Sequence, residues 1–141
     1  MFNVVGANNV TRASVFYDDI NQDEGFLLED SGTGSQVAQG FQITDDDIYT
    51  VVSFNLKREG NIVGNLTARI VEDDGTGLPD LSLPVAVSEP VSVAEIDNTN
   101  YEKVIFSFVT PPTLSTGTQY HLVLNADAGY AASEQSGVVY F

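Results

Sequence analysis

The chain of 141 residues carries twenty acidic and five basic residues, so its formal net charge is −15 at pH 7. This charge repels phosphate backbones and anionic lipid headgroups, and we therefore expect neither nucleic acid nor a membrane surface among its partners. Cysteine is absent, which excludes disulfides and thiolate metal sites.

The length predicts one domain over residues 1–141, with a hydrophobic core of its own. Residues 1–9 predict a short edge strand or a docking arm. Alternating apolar and polar residues predict further strands at 11–17 and 36–44. Gly40, inside the last of these, allows a bulge or the close approach of another segment.

Two strands near the middle of the chain show clearer alternation. Residues 48–57 and 66–71 are rich in the β-branched and aromatic residues that suit a pleated, half-buried surface. A period of two places alternate side chains on one face of a strand. We therefore expect the following residues to face the core: Val52, Phe54, Leu56, Leu66, Ala68 and Ile70.

Residues 101–125 are the stretch around which we expect the fold to be organised. They predict two antiparallel strands joined by a turn, and Pro111 and Pro112 end the first because proline cannot donate to a β-ladder. In the first strand one face carries Val104, Phe106 and Phe108, and the other carries Ile105, Ser107 and Val109. In the second strand we expect Tyr120, Leu122 and Leu124 to face the core.

The remaining segments are short and broken by turn residues. Residues 84–93 predict two extended pieces split by Pro90, as at a sheet edge, and residues 138–141 predict a last strand. No segment shows a sustained helical period, so we expect no helix longer than a turn or two. About eight strands result, and they predict an all-β fold, an antiparallel two-sheet β-sandwich that is jelly-roll-like. An up-and-down barrel is the alternative.

The residues needed for catalysis are scarce. His121 is the one histidine, and alternation places it on the strand face that points away from the core, as a surface residue rather than a base. Nucleotide-binding and hydrolase motifs are absent. Carboxylate pairs lie in apparent loops, where nothing predicts the apolar pocket of a general acid. We expect no catalytic residues, and hence no enzyme.

One acidic loop carries the spacing of a calcium site. Asp19, Asn21 and Asp23 read D-x-N-x-D, the opening of an EF-hand loop, and Asp30 falls at the twelfth position. Glu24 occupies the sixth position, where such loops have glycine, and no helix flanks the loop. The spacing of these residues is therefore explained either by a Ca²⁺ site or by an ordinary acidic turn. We expect no other cofactor. The acidic turns at residues 45–47 and 72–75 are lesser candidates.

One tyrosine lies in a predicted loop rather than a strand. Tyr130 stands in the sequence ADAGYAAS, where an exposed ring would stack on a sugar or on a partner protein. The alternative role for this ring is to cap the end of the sandwich.

Three pieces of the chain stand in an order that resembles a known family. They are AQGF at 38–41, GNLTARIVEDDGTGLP at 64–79 and TLSTGTQYHLVL at 113–124. Together they resemble the β-sandwich units called choice-of-anchor domains in secreted bacterial proteins, and similar domains of phage tail and fibre proteins. The resemblance covers about 100 residues, mostly core and turn positions, and implies a β-sandwich without catalytic residues.

These expectations combine into a functional hypothesis. The first residues lack the charge and apolar run of a signal peptide, which favours a protein assembled inside a cell. We expect a non-enzymatic virion structural protein, a capsid decoration or tail-associated module, whose partners are other virion proteins or its own copies in a homo-oligomer. The alternative is an extracellular carbohydrate-binding or adhesion module, stabilised by calcium and bound to a glycan.

Overall fold

The computed structural model describes residues 36–127 in full, together with the backbone of four strands outside that range. In chain order the strands are β1 (Phe2–Gly6), β2 (Thr11–Ala13), β3 (Leu27–Leu28), β4 (Gln36–Phe41), β5 (Asp47–Gly60), β6 (Asn65–Glu72), β7 (Ala86–Val87), β8 (Val91–Ser92), β9 (Glu102–Ser107), β10 (Thr113–Leu114), β11 (Tyr120–Ala126) and β12 (Gly137–Tyr140). Eight of these described strands are three residues or longer.

The strands form two sheets, and every pairing is antiparallel, so the predicted all-β two-sheet sandwich is confirmed. The first sheet runs β2-β1-β5-β12-β3, with β9 and β10 also paired to β5. The second runs β4-β11-β6-β7, with β8 also paired to β6. In the described part of the chain the only helical element is the short 3-10 turn Val93–Glu95, and no helix there is long and apolar enough to cross a membrane.

Strand β5 holds the first sheet together. It is 14 residues long and pairs with β10 near its start, with both β1 and β9 along its middle, and with β12 near its end. In the second sheet β11 occupies the corresponding central place, between β4 and β6. All seven residues of β11 are buried, which means that both faces of this strand are covered.

The core lies between the two sheets and follows the predicted alternation. The inward residues of β5, β6, β9 and β11 form one hydrophobic cluster, in which Phe54 and Phe106 meet edge to face with ring centroids 5.6 Å apart. The residues predicted to face inward from β5, β6 and β11 are all buried there. On β9 and just beyond it Phe106 and Phe108 are buried, and Val104 is half-buried against the cluster. Thus the period-two pattern identifies the core faces of β5, β6 and β11 correctly.

Two predictions about strand neighbours differ from the structure. Strands β9 and β11 do not pair with each other, as residues 101–125 predict, because β9 pairs with β5 and β11 pairs with β4 and β6. The link between them contains β10, which returns to β5 before the chain crosses to the other sheet. Strand β1 lies between β2 and β5, so it is an inner strand rather than the edge strand or docking arm predicted for residues 1–9.

One segment joins the two sheets at an edge of the sandwich. Ser88 donates its N–H to the Ala68 carbonyl in the second sheet at 2.9 Å, while Glu89 donates its N–H to the Ser107 carbonyl of β9 in the first sheet at 2.8 Å. The Ser88 hydroxyl accepts the Ala68 N–H at 2.9 Å and donates to the Glu89 carbonyl at 2.8 Å. Residues 86–89 therefore close this edge, and the buried Ser88 hydroxyl completes the closure.

The substitution Ser88→Ala tests this closure. It leaves the buried Ala68 N–H without an acceptor, and the cost of an unsatisfied buried donor is about 1–3 kcal/mol. We expect the free energy of unfolding, measured by urea denaturation, to fall by about that amount. Ser107→Ala removes an exposed hydroxyl from the facing strand and serves as the control. Equal stability of the two variants would contradict the role given to Ser88.

Candidate functional site

The predicted binding residues lie outside the part of the chain that the structure describes. This applies to the proposed calcium ligands Asp19, Asn21, Asp23 and Asp30, and equally to Tyr130. The calcium site and the glycan-stacking ring therefore stay predictions. The two lesser acidic candidates, at residues 45–47 and 72–75, lie within the described range.

The carboxylates of these two acidic turns bind the chain itself. Asp46 accepts both the N–H and the hydroxyl of Thr116 at 2.6 Å, which ties the start of β5 to the turn before β11. Asp74 accepts the N–H of Thr76 at 2.8 Å and its hydroxyl at 2.6 Å. Within the described residues no three histidine, cysteine or acidic side chains converge as metal ligands. In these turns the carboxylates hold loops of the protein in place, Asp46 across to another turn and Asp74 within its own.

His121 is paired with a carboxylate. Its Nε2 lies 3.0 Å from Oδ2 of Asp73, whose other oxygen accepts the backbone N–H groups of Gly75 at 2.7 Å and Gly77 at 3.1 Å. Both glycines have positive φ, at 89° and 93°, a region that residues with a Cβ rarely adopt. Asp73 thus fastens the turn of residues 73–79 to the middle strand of the second sheet.

The burial of His121 corrects the sequence prediction. Alternation places the ring on the face away from the core, as expected, but His121 is only 6% exposed instead of lying open at the surface. The turn of residues 73–79 lies against this face and provides the carboxylate partner. Sequence alternation specifies the face of a strand, whereas burial depends on which distant segment covers that face.

A hollow of about 490 Å³ opens beside the histidine. Its walls come from β4, from the turn of residues 73–79 and from the start of β11, and the lining residues are Ala38, Gly40, Asp73, Gly77, Leu78, Pro79, Gln119 and His121. This lining contains no serine, threonine or cysteine that the histidine could activate as a nucleophile. In the described part of the chain, the His121–Asp73 pair fastens the turn of residues 73–79 to β11.

Gly40 lines the hollow, and other side chains approach its backbone closely, as the sequence predicts. A Cβ at this position would lie 3.0 Å from Nε2 of Gln119 and 3.5 Å from the ring of His121. The Gln119 amide is held by hydrogen bonds to the carbonyls of Phe41 and Tyr120, so it cannot move away freely. A larger residue at position 40 would therefore have to displace the Gln119 amide from its hydrogen bonds or press on the ring of His121.

The substitution Gly40→Val tests this packing. Overfilled positions typically cost about 1–3 kcal/mol, and we expect a loss of that order in the free energy of unfolding. The imidazole signals of His121 should shift in the NMR spectrum, where they are easily assigned because the chain has a single histidine. Ala38→Val places the same side chain two residues away, at an exposed position of the same strand. A Gly40→Val protein as stable as this control, with unchanged imidazole signals, would contradict the account.

Hydrogen bonding lowers the pKa of five described aspartates below the ordinary value of 3.8. For Asp73 the main cause is the hydrogen bond from His121, followed by the backbone N–H of Gly77. For Asp46, Asp74 and Asp80 it is a hydroxyl of a nearby threonine or serine, and for Asp97 it is backbone N–H groups. Each carboxylate therefore stabilises its loop only while it is ionised.

These shifts predict how stability depends on pH. A lowered pKa in the folded state means that the unfolded chain binds protons first, so this stabilisation is complete above about pH 5 and is lost as the pH falls through 3.8 and below. The net charge of −15 acts in the opposite sense, because mild acid relieves self-repulsion. We expect urea denaturation to show maximal stability in mild acid and a steep fall below pH 3.8. Asp73→Asn should reduce that fall, and an unchanged fall would contradict the assignment.

Exposed aliphatic side chains cluster where the two sheets meet. Along residues 83–89 Ala86 and Ser88 are buried, while the alternate residues point outward. On β9 and just beyond it, Phe106 and Phe108 are buried while the alternate residues again point outward. The two segments run antiparallel, with a bridge between Ser88 and Phe108. We call the outward aliphatic residues of this surface the aliphatic edge: Leu83, Val85, Val87, Ile105 and Val109.

The aliphatic edge lies in two segments of low charge. Residues 81–93 contain one charged residue, Glu89, and residues 104–113 contain none. Leu83 is 77% exposed and Val109 is 64% exposed, so the surface is open to solvent. Sequence reasoning assigns residues 84–93 to a sheet edge but misses this surface, and the signal that could have revealed it is the lack of charge in both segments.

Comparisons of the chain with protein-family models, with curated proteins and with solved structures found no match. The resemblance to choice-of-anchor domains therefore stays a prediction.

Proposed function

We propose that this protein is a non-enzymatic β-sandwich that acts by assembly, as a structural component of a virus particle on the capsid surface or the tail. The observation that carries the proposal is the aliphatic edge, because several exposed apolar side chains on two neighbouring segments are typical of a site of protein contact. Exposed valine, leucine and isoleucine side chains gain free energy when a partner removes them from water.

The polar groups of the described residues support a structural role. The carboxylates that have hydrogen-bond partners hold loops, and the one histidine holds a turn. In the described part of the chain, the imidazole of His121 is engaged by the Asp73 carboxylate, which also binds two backbone N–H groups of the same turn. These polar groups stabilise the fold, and the exposed apolar side chains are a part of the described surface that we expect to contact a partner.

The strong negative charge suits a protein that is made in quantity and then assembles. Mutual repulsion keeps free copies soluble, and docking proceeds where the local charge is low. The assignment to a virus particle rests on the resemblance to phage tail and fibre domains. The described residues form a β-sandwich with a hydrophobic cluster between its sheets, which is the fold that this resemblance implies.

The direct test is the presence of the protein in particles. Virus particles purified by density gradient from the source culture should contain the protein, measured by quantitative mass spectrometry at a fixed number of copies per particle. Its absence from purified particles would overturn the proposal.

A matched pair of variants separates a structural role from a catalytic one. His121→Gln and Asp73→Asn change the polar fastening but leave the aliphatic edge intact. If both folded variants enter particles in the copy number of the wild type and the particles stay infectious, the histidine has no catalytic role. Normal incorporation with lost infectivity for both variants would contradict the non-enzymatic assignment.

A further inference from the structure

We propose that strand β4 is the docking edge for a basic, extended segment of a partner protein, which joins the second sheet as an added strand. β4 is the end strand of this sheet, and in the described part of the chain it pairs with β11 alone. An edge strand directs the N–H and C=O groups of alternate residues away from its neighbour, where they form a template for another strand. The inference goes beyond the proposed function, because it does not depend on a place in a virus particle.

β4 lacks the features that usually protect a sheet edge. Lysine, proline and β-bulges keep other chains from pairing with an exposed edge strand. The sequence of β4, QVAQGF, has no charged residue and no proline, and its six residues pair with β11 in an unbroken register. Open edges of this kind accept extended peptides by main-chain hydrogen bonding.

The other described strands with a single partner are less suited to this role. β2, β3, β7, β8 and β10 are each two or three residues long. β9 has six residues, but it carries the charges of Glu102 and Lys103, and its last carbonyl, at Ser107, accepts the N–H of Glu89. Within the described residues, β4 is therefore the edge strand best able to accept another strand.

The hollow beside β4 provides room for side chains of the added strand. In the register of the sheet Gly40 lies opposite His121, and Ala38 is two residues away on the same face of β4. Both small residues line the hollow. Side chains of an added strand alternate between its two faces. Those on the outer face would therefore lie beside Ala38 and Gly40 and extend into the hollow.

The charge around the hollow favours a basic occupant. Its described lining contains one carboxylate, Asp73, and neither lysine nor arginine, and the exposed residues Glu72 and Asp74 flank Asp73 in the chain. A carboxylate has room for about four hydrogen bonds, and Asp73 accepts three within the protein. Lysine or arginine of a partner therefore meets an acceptor and an opposite charge here. A second copy of the chain, with a net charge of −15, would bring like charge instead.

The test uses a phage-displayed library of random peptides of about ten residues, selected on the immobilised protein. We expect the selected sequences to combine β-branched or aromatic residues with lysine or arginine. Their dissociation constants, measured by fluorescence anisotropy, should rise with added salt, which screens opposite charges. In NMR spectra the backbone amide signals of residues 36–40 should shift on binding. A library without selected sequences, or peptides that shift signals only elsewhere, would overturn the proposal.

Variants separate the charge of the site from its shape. Ala38→Lys and Ala38→Glu place long side chains of opposite charge at one exposed position beside the hollow. Ala38→Lys should raise the dissociation constant of a selected peptide at least about tenfold, whereas Ala38→Glu should lower it. Equal weakening by both variants would contradict a basic occupant. Circular dichroism confirms that the variants fold.

A third variant controls for the net charge of the protein. Val109→Lys adds the same charge at an exposed position near Val87, at the opposite edge of the second sheet from β4. It should change the dissociation constant much less than Ala38→Lys does. Equal weakening by Val109→Lys and Ala38→Lys would mean general attraction to an acidic surface, and would overturn the docking edge.

The other occupant to exclude is a second copy of the chain, whose β4 would pair with this β4 across a twofold axis. Amide hydrogen exchange distinguishes the two, because paired N–H groups exchange slowly. We expect the outward N–H groups of residues 36–40 to exchange rapidly in the free protein at every concentration, and slowly once a selected peptide is bound. Slow exchange that develops with protein concentration alone would overturn the basic partner.

Discussion

The segment of residues 85–89 determines both how the sandwich closes and what it exposes. Its backbone hydrogen-bonds to β6 in one sheet and to β9 in the other, with the Ser88 hydroxyl satisfying the Ala68 N–H between them. The two side chains that this segment turns inward, Ala86 and Ser88, are small. By alternation its larger residues, Val85 and Val87, are left facing the solvent. Closure of the fold and exposure of the aliphatic edge thus have one cause.

The acidic residues also stabilise the fold, because several of them hold loops in place. A surface with so much negative charge would separate its own loops, yet several aspartates accept hydrogen bonds that hold loops in place, as Asp46 does at Thr116 and Asp73 does at His121. Such carboxylates gain from ionisation and therefore have lowered pKa values. Charge is concentrated in turns, and the strands that close the sandwich edge are left almost neutral.

Local patterns in the sequence predicted what depends on alternation and missed what depends on distant segments. The inward faces of β5, β6 and β11 follow directly from residues such as Val52, Ile70 and Leu122. The strands that pair with β9 and β11 could not be predicted in this way, because a period of two specifies the face of a strand but not its neighbour. The burial of His121 depends on a turn almost fifty residues away in the chain. The aliphatic edge was not predicted, because large apolar residues are normally expected in the core and small residues at the surface. In residues 83–89 the small residues are buried and the large ones are exposed.

The central claim is that residues 85–89 close the sandwich through the Ser88 hydroxyl, which accepts the N–H of Ala68. Amide hydrogen exchange followed by NMR tests this closure directly, because a buried and hydrogen-bonded N–H exchanges only when the structure around it opens. We expect the Ala68 amide to exchange as slowly as the amides of the core strands in the wild type and markedly faster in Ser88→Ala. An Ala68 amide that exchanges as fast as an exposed loop in the wild type, or equally slowly in both proteins, would contradict the closure.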